Sequence, residues 1–371
     1  MRIAVDATSL LDVRTGVGNF TDAVVRRLGQ RPDIDTTIFP ISLRGHHRLR
    51  DTAPPGVDVV TPPLPARLLR RSWLATGRPR IDRFIGPHDL VYGPNFVVPP
   101  SRSARVVTVH DLTAIRFPEL CTADTLQYPR LLERAIGDGA WIHTVSDAVR
   151  REVIADLGAD ADRVVAVPNG HRSADGGDAG VGRRLAGRDT YALAVGTVEP
   201  RKGLPGLLEA IDLLAADGQE IPLVHVGPDG WGSAALDATL AAMRRPDLFV
   251  RLGRRSDDEL DDLFAGARVF VYPSVYEGFG LPVVEAMSAG LPVVTSDDPA
   301  VVEVAGGAAV HTPVGDVAAL AAGIARAWDD EALRTRLVAE GRRRADEFSW
   351  DRCTDGLVDV FHAAVADGGS A

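Results

Sequence analysis

Two acids and two bases stand out for the chemistry their spacing would allow. Glu277 and Glu285 bracket the run Tyr-Glu-Gly-Phe-Gly-Leu-Pro-Val-Val-Glu at 276–285. Arg201 and Lys202 close the run Gly-Thr-Val-Glu-Pro-Arg-Lys at 196–202. In the first run, Gly278 and Gly280 let the backbone come close to a ligand. Pro282 suits the first turn of a helix, where its missing N–H would be unpaired in any case, and Gly290 fits the position just past that helix's end. The free backbone N–H groups at the helix start could then cradle a phosphate without a metal. Glu277 falls in the loop and Glu285 one to two turns into the helix, so the two carboxylates can hold two hydroxyl-bearing parts of one ligand. Taken alone, the segment is also explained by a plain strand-to-helix turn with a solvated glutamate.

The basic pair follows a strand at 191–195 and is expected to open a helix. A guanidinium fork and an ammonium point charge complement a diphosphate. Cations are disfavoured beside the positive end of a helix dipole, so a bound anion would relieve the conflict, and Glu199 can pair with one of the two. A solvated basic pair at a helix start is the alternative.

The amino-terminal half offers weaker signals. Gly16 and Gly18, in Thr-Gly-Val-Gly-Asn-Phe at 15–20, superficially match a dinucleotide fingerprint. About nine residues separate the preceding strand from Gly16, and Thr21 stands where the third glycine should be, which argues against a nicotinamide cofactor. These glycines suit a loop facing a cleft, with a helix N-terminus behind it. His110 and Asp111 follow the apolar run 106–109, so the imidazole would project from a strand end to orient an acceptor or a sugar; a structural histidine is the equal alternative.

No metal site is expected. Asp33/Asp35 and Asp160/Asp162 have Asp-x-Asp spacing but fall in surface turns, and the paired acids at 257–258, 261–262 and 329–330 suit helix starts and solvated faces. Cys121 and Cys353 stand far apart, with neither disulfide nor zinc spacing. The segment 67–83 carries Arg67, Arg70, Arg71, Arg78, Arg80 and Arg83 among Leu68, Leu69, Trp73, Leu74, Ile81 and Phe84. It reads either as an amphipathic helix covering its own domain or as a peripheral contact with an anionic membrane.

These residues need elements to position them. Short β-branched runs alternate with amphipathic stretches, the pattern of parallel sheets wrapped by helices, and so an α/β fold. Strands are expected at 2–6, 34–40, 89–92, 105–109, 140–145 and 163–167, with helices near 18–29, 122–137 and 147–157. A second cycle places strands at 191–195, 221–226, 248–252, 268–272, 292–295 and 308–310, followed by helices at 316–328, 330–346 and 350–366. The segment 172–189, rich in Gly, Asp, Arg and Ala, reads as a linker. The expected domains are therefore 1–171, for an acceptor, and 190–348, for a donor. A closing helix at 349–371 is expected to cross back to the first domain. A chain of 371 residues suits two domains with a cleft, and 45% apolar with 25% charged residues suits full folding. A formal charge of −10 disfavours nucleic acid as a partner. No apolar run approaches the roughly 20 residues of a membrane span, and the first residues do not read as a signal peptide, so a cytoplasmic protein is expected.

Together the two runs resemble family 4 of the retaining glycosyltransferases, most nearly its bacterial mannosyl- and rhamnosyl-transferases, over nearly the whole chain. The resemblance implies a GT-B architecture: two Rossmann-like domains facing across a cleft. It implies that Arg201 and Lys202 bind the diphosphate of a nucleotide sugar, that Glu277 contacts the transferred sugar and that Glu285 holds the ribose. It also implies that the amides at the helix start that meet the phosphates are those of Gly278, Phe279, Gly280 and Leu281. Gly16 and Gly18 would belong to a loop closing over the donor, and His110 would lie near the sugar. A hexose, with GDP-mannose as the favoured donor, would pass to a glycan, a lipid-linked glycan or a small molecule, with no metal and no cofactor. Such enzymes are thought to react on the front face of the sugar, the departing phosphate helping to deprotonate the acceptor hydroxyl. Gly203 departs from the family, which often has Asn there. A sugar-nucleotide epimerase of the same architecture and a non-catalytic sugar-nucleotide binding protein are the competing readings.

Overall fold

The computed structural model describes residues 1–11, 16–121 and 123–368; Thr15, at the edge of the first glycine motif, lies outside them. Two compact units result. One holds the residues up to Gly170 together with those from Ser349 on, and the other is His171–Phe348.

Short apolar runs form parallel strands, and the central ones, such as Leu90–Gly93, Leu223–Val226, Val269–Tyr272 and Val293–Ser296, are buried along their whole length, as sheets covered on both faces require. In the first unit the strands are β1 (Arg2–Asp6), β2 (Asp35–Phe39), β3 (Val57–Val59), β4 (Leu90–Gly93), β5 (Ala104–Val109), β6 (Trp141–Thr144) and β7 (Val164–Ala166). They form one sheet in the order β3-β2-β1-β4-β5-β6-β7, with all neighbours parallel. The second unit holds β8 (Ala192–Val195), β9 (Leu223–Val226), β10 (Phe249–Gly253), β11 (Val269–Tyr272), β12 (Val293–Ser296) and β13 (Ala309–Thr312), again all parallel, in the order β10-β9-β8-β11-β12-β13. Strand order reverses between β1 and β4 and between β8 and β11. Loops leave such a pair in opposite directions and open a crevice at the carboxyl ends, where α/β proteins bind ligands.

The first sheet has a core on each face. On one, Trp73, Ile81 and Leu132 pack with Val107 and Val109. On the other, the helix Gly16–Leu28 packs with the closing helix Trp350–Gly368, whose Phe361 ring lies 4.9 Å from that of Tyr92. Cys353 is buried there, and burial pushes its thiol up to about 12, which leaves it inert. The second sheet is backed by the helices Leu204–Ala216 and Val317–Asp329.

Four details differ from the sequence reading. The short strand β3, flanked by Pro54, Pro55, Pro62 and Pro63, was not expected. Residues 172–189 are not a bare linker: they include the helix Ala179–Ala186, capped by Asp178 and packed on the helix Asp257–Gly266. Its glycines serve close approach, since a Cβ on Gly182 would stand 1.8 Å from the Asp262 carbonyl and one on Gly177 2.1 Å from that of Asp261. Gly16 and Gly18 form the first turn of their helix rather than a loop ahead of it. Arg201 and Lys202 precede their helix instead of opening it, in the 3-10 turn Pro200–Lys202.

Candidate active site

The turn carrying the basic pair follows β8, and the loop carrying Glu277 follows β11, so the reversal point of the second sheet brings them together. Gly203 makes the turn possible. It is left-handed (φ 67°), and a Cβ there would stand 2.2 Å from the Pro273 carbonyl. The glycine that departs from the family pattern is the residue this backbone requires.

Glu277 is buried and takes a cation on each carboxylate oxygen. Arg201 Nη1 donates to Oε2 at 2.9 Å, and Lys202 Nζ donates to Oε1. The Tyr272 hydroxyl completes the ring, accepting from Lys202 Nζ at 2.7 Å and donating to Glu277 Oε1 at 2.8 Å. Glu199 Oε2 accepts from Arg201 Nε at 3.0 Å, which holds the guanidinium from its other side. Burial works against the Glu277 charge, yet the Lys202 and Arg201 charges and their hydrogen bonds outweigh it and hold the carboxyl down at about 2. The four charged groups cancel formally. They form a compact ionic cluster in a low-dielectric wall of the site, where a diphosphate would compete with Glu277 for the two cations.

The Glu277 amide donates to Asp298 Oδ2 at 3.4 Å, while Asp298 Oδ1 caps the helix Pro299–Ala305 through the Ala300 and Val301 amides. Asp298 thus ties the Glu277 loop to a neighbouring helix. Beyond Glu277, Gly280 turns left-handed (φ 93°) and no side chain caps the helix Leu281–Ser288 that follows. Its start is therefore shaped for an acceptor-rich ligand. The Phe279 ring packs edge-on against Phe348, centroids 5.4 Å apart, and fixes the loop.

Glu285 lies on the same helix in different surroundings. Burial pushes its carboxyl up to about 7. Arg172 draws it down only in part, because that guanidinium is paired with Asp261, and the charges of Asp257 and Asp261 reinforce the upward shift.

The remaining sequence candidates belong to the other unit. His110 stands at the end of β5 with its ring 5.0 Å from that of Phe20 and 5.9 Å from that of Phe96. Its Nε2 bonds the Pro94 carbonyl at 2.8 Å, so Nε2 carries the proton and Nδ1 is left as an acceptor in the neutral ring. Burial lowers its pKa and keeps it neutral. Asp111 Oδ1 accepts from the Thr113 amide at 2.9 Å and caps the turn that follows. Gly16 and Gly18 lie at the start of the helix after β1.

The sequence reading did not single out Tyr272 or Asp298. Tyr272 closes the strand before the glutamate loop, and the Asp298-Pro299 pair is a helix-start signal; each was open to inference from position. Among the described residues, no cluster of three or more His, Cys, Asp or Glu side chains is arranged to hold a metal ion.

The second sheet thus brings paired cations and a buried glutamate together at its reversal point, within a fold of two parallel α/β sheets, and comparison with known proteins supplies the family. The family model for glycosyl transferases group 1 matches residues 182–344. O-antigen chain mannosyltransferase B of Escherichia coli is 36% identical over 74% of this chain and 74% of its own. An MMP alpha-(1->4)-mannosyltransferase of Mycolicibacterium hassiacum is 34% identical over 60% of this chain and 54% of its own. Among solved structures, sucrose-phosphate synthase from Thermosynechococcus elongatus superposes with a TM-score of 0.76 at 17% identity, over 99% of each chain. WaaG, a glycosyltransferase involved in lipopolysaccharide biosynthesis, does so with a TM-score of 0.74 at 16% identity, over 97% of this chain and 99% of its own. The chain belongs to the group 1 glycosyltransferases, the family 4 enzymes of GT-B architecture.

Proposed function

We propose that the protein is a retaining mannosyltransferase that moves mannose from GDP-mannose to a hydroxyl of a glycan, free or lipid-linked. The observation that carries this reading is the Glu277 cluster: two cations held at a strand-reversal crevice, with the start of an uncapped helix beside them. Arg201 and Lys202 take the diphosphate and stabilise charge as the bond to the sugar breaks, a task that in other sites falls to a divalent metal. Glu277, released in part from those cations, accepts from a hydroxyl of the transferred sugar. Glu285 holds the ribose, and His110, with Nδ1 as acceptor, orients a sugar hydroxyl. The mannosyl assignment is supported by the names of the relatives that share sequence with this chain. No protein group is placed as a nucleophile, so positioning and electrostatics carry the rate.

A peripheral membrane contact completes the proposal, since a lipid-linked acceptor lies at a cytoplasmic membrane face. Leu69 and Trp73 of the helix Ala66–Thr76 are buried in their own unit, which leaves exposed Leu68 with Arg67, Arg71, Arg78, Arg80 and Arg83 to meet anionic lipid. Co-sedimentation with anionic but not neutral vesicles at low salt is the expected result. Among the described residues, no helix is long and apolar enough to cross a membrane.

A thermal-shift screen across sugar nucleotides, with and without magnesium, tests the donor. GDP-mannose is expected to stabilise the protein equally in both series, by about 2.7 kcal/mol at a hundredfold excess over Kd. Stabilisation by a different donor overturns the GDP-mannose assignment, and a response only with magnesium overturns the metal-free site.

A further inference from the structure

A cavity of about 680 Å³ opens at the amino edge of the first sheet, where the sugar-transfer reading assigns nothing. Arg102 borders it just before β5 begins. Arg78 and Arg80 border it from the link after the helix Ala66–Thr76, and Arg83 from the short helix Asp82–Ile85. His110 stands at the opposite end of β5, a six-residue strand that spans about 20 Å.

The backbone around the cavity is fixed from within. Gly77, left-handed at φ 67°, ends the helix Ala66–Thr76. The buried Trp73 indole donates to the Pro79 carbonyl at 2.9 Å, and the Ser72 hydroxyl donates to the Arg78 carbonyl at 2.5 Å. The Ile81 amide donates to the Pro100 carbonyl at 2.8 Å and joins this segment to the approach to β5. Asp82 completes the junction, its Oδ1 accepting from the Ser101 hydroxyl at 2.8 Å and its Oδ2 from the Arg102 amide at 3.2 Å. The one carboxylate bordering the cavity is thus engaged in holding two loops together.

The cations are arranged differently. Among the described residues, the guanidinium groups of Arg78, Arg80, Arg83 and Arg102 have no hydrogen bond or ion pair. Neighbouring arginines of the same unit do: Arg67 and Arg70 reach Asp124, and Arg105 and Arg134 reach Asp138. The excess positive charge is felt nearby. Burial lowers the Arg105 pKa, and the Arg134 and Arg80 charges add to that shift against Asp138. In a chain of formal charge −10, four cations around one carboxylate reverse the sign locally.

We infer that this cavity is a phosphate site separate from the sugar-transfer crevice, and that it takes an anion with two adjacent phosphate groups. Guanidinium forks meet phosphate oxygens in pairs, so four of them match two phosphates better than one. The volume lies within the range of small-molecule sites and leaves room for more than a single phosphate ion. Among the described residues no aromatic ring borders the cavity, so a base would find no stacking partner and recognition falls on the phosphates. Soluble diphosphate compounds carry this chemistry, and so do lipids with a diphosphate headgroup. A lipid source would turn the membrane contact proposed above from diffuse attraction into capture of a headgroup, although the site itself does not rest on that contact or on sugar transfer.

Isothermal titration calorimetry of the full chain with inorganic diphosphate tests this. The Lys202→Ala protein, with its donor-side cation pair broken, is expected still to bind diphosphate. Arg80→Gln and Arg102→Gln in that background should each weaken the binding about tenfold or more, and in the otherwise wild-type chain the two together should remove one equivalent of bound diphosphate. Both substitutions should keep the wild-type melting temperature and the wild-type thermal response to GDP-mannose. Sulfate at equal ionic strength should bind about tenfold more weakly than diphosphate. No diphosphate binding to the Lys202→Ala protein, binding that survives both glutamine substitutions together, or sulfate binding as tight as that of diphosphate would overturn the inference. Vesicles then separate the two sources. If the phosphates are lipid-borne, vesicles with diacylglycerol diphosphate should capture the protein in preference to phosphatidylglycerol vesicles of matched surface charge, and free diphosphate should release it. Equal capture by both, unaffected by free diphosphate, would assign the cavity to a soluble compound. Diphosphate binding that depends on Arg80 and Arg102, without a response to any sugar nucleotide, would sink the glycosyl-transfer reading and leave this site standing.

Discussion

Glu277 and Glu285 lie eight residues apart in one loop and helix, yet their surroundings drive them in opposite directions. Around Glu277 two cations and a phenol hydroxyl overcome burial, and the carboxyl is held at about 2. Around Glu285 the cation that draws it down, Arg172, is paired with Asp261, and burial prevails, leaving the carboxyl at about 7. Sequence spacing makes the two acids look like a matched pair. In the structure one is the shared counter-ion of two cations, and the other is pushed by burial toward neutrality. What a carboxylate does is decided by which cations its neighbours leave available.

Removing the counter-ion breaks that contrast most severely. Glu277→Ala leaves Arg201 and Lys202 desolvated and facing one another, and breaking a buried pair from one side costs about 3–5 kcal/mol. Urea denaturation should show the loss, and added inorganic diphosphate should restore part of it by supplying the missing negative charge. Lys202→Ala comes next. Turnover should fall by about two orders of magnitude or more, as on loss of other charge-stabilising groups, while the far-UV circular dichroism spectrum stays unchanged. Near-normal turnover in a folded Lys202→Ala protein would remove the cation from the mechanism.

Much of this site was legible because its parts sit at strand ends. The runs closing at Val195 and Tyr272 are short and apolar and are followed at once by a turn residue, Gly196 or Pro273, so both loops could be placed on one sheet edge from sequence alone. That Glu277 bridges both cations was not legible, since periodicity fixes where a residue lies along an element but not which partner its rotamer reaches. Glycine was misread for a related reason. At 172–189 it suggested flexibility, whereas Gly177 and Gly182 allow two helices to meet backbone to backbone, and a missing side chain looks the same in sequence whether it frees the chain or lets it pack. The strand β3 was lost because three residues amid prolines carry too little pattern.

Glu285 provides a measurement of intermediate size. Its ordinary value is 4.5, and in the folded protein it rises to about 7. Between those values the folded chain binds the proton more tightly than the unfolded one. Its contribution to stability is therefore complete below about pH 4.5 and is lost as the pH rises through 7, by at most about 3 kcal/mol. Glu277 has the opposite sign: its contribution is present above pH 4.5 and lost as the pH falls toward 2. Glu285→Gln should flatten the unfolding free energy between pH 5 and 8 and leave the acid limb below pH 4 unchanged. A slope that persists in the variant would assign the titration to another group, with Asp298, which burial raises to about 6, the first to replace.

The smallest effect is the most specific. Tyr272 touches neither sugar nor phosphate in the proposed arrangement, but its hydroxyl joins Lys202 Nζ to Glu277 Oε1, so it acts through them as a positioning residue. Tyr272→Phe keeps the ring in the sheet core and both ionic contacts, and removes one hydrogen-bonded link at a cost of about 1 kcal/mol. With the ammonium less constrained, kcat should fall about tenfold while KM for the donor stays within a factor of two or so, because the charge that binds the diphosphate remains. A rise in KM with kcat unchanged would mean that the hydroxyl contributes to ground-state binding instead. In that case the cluster around Glu277 would serve chiefly to grip the donor, and its difference from the surroundings of Glu285 would be one of affinity rather than of catalysis.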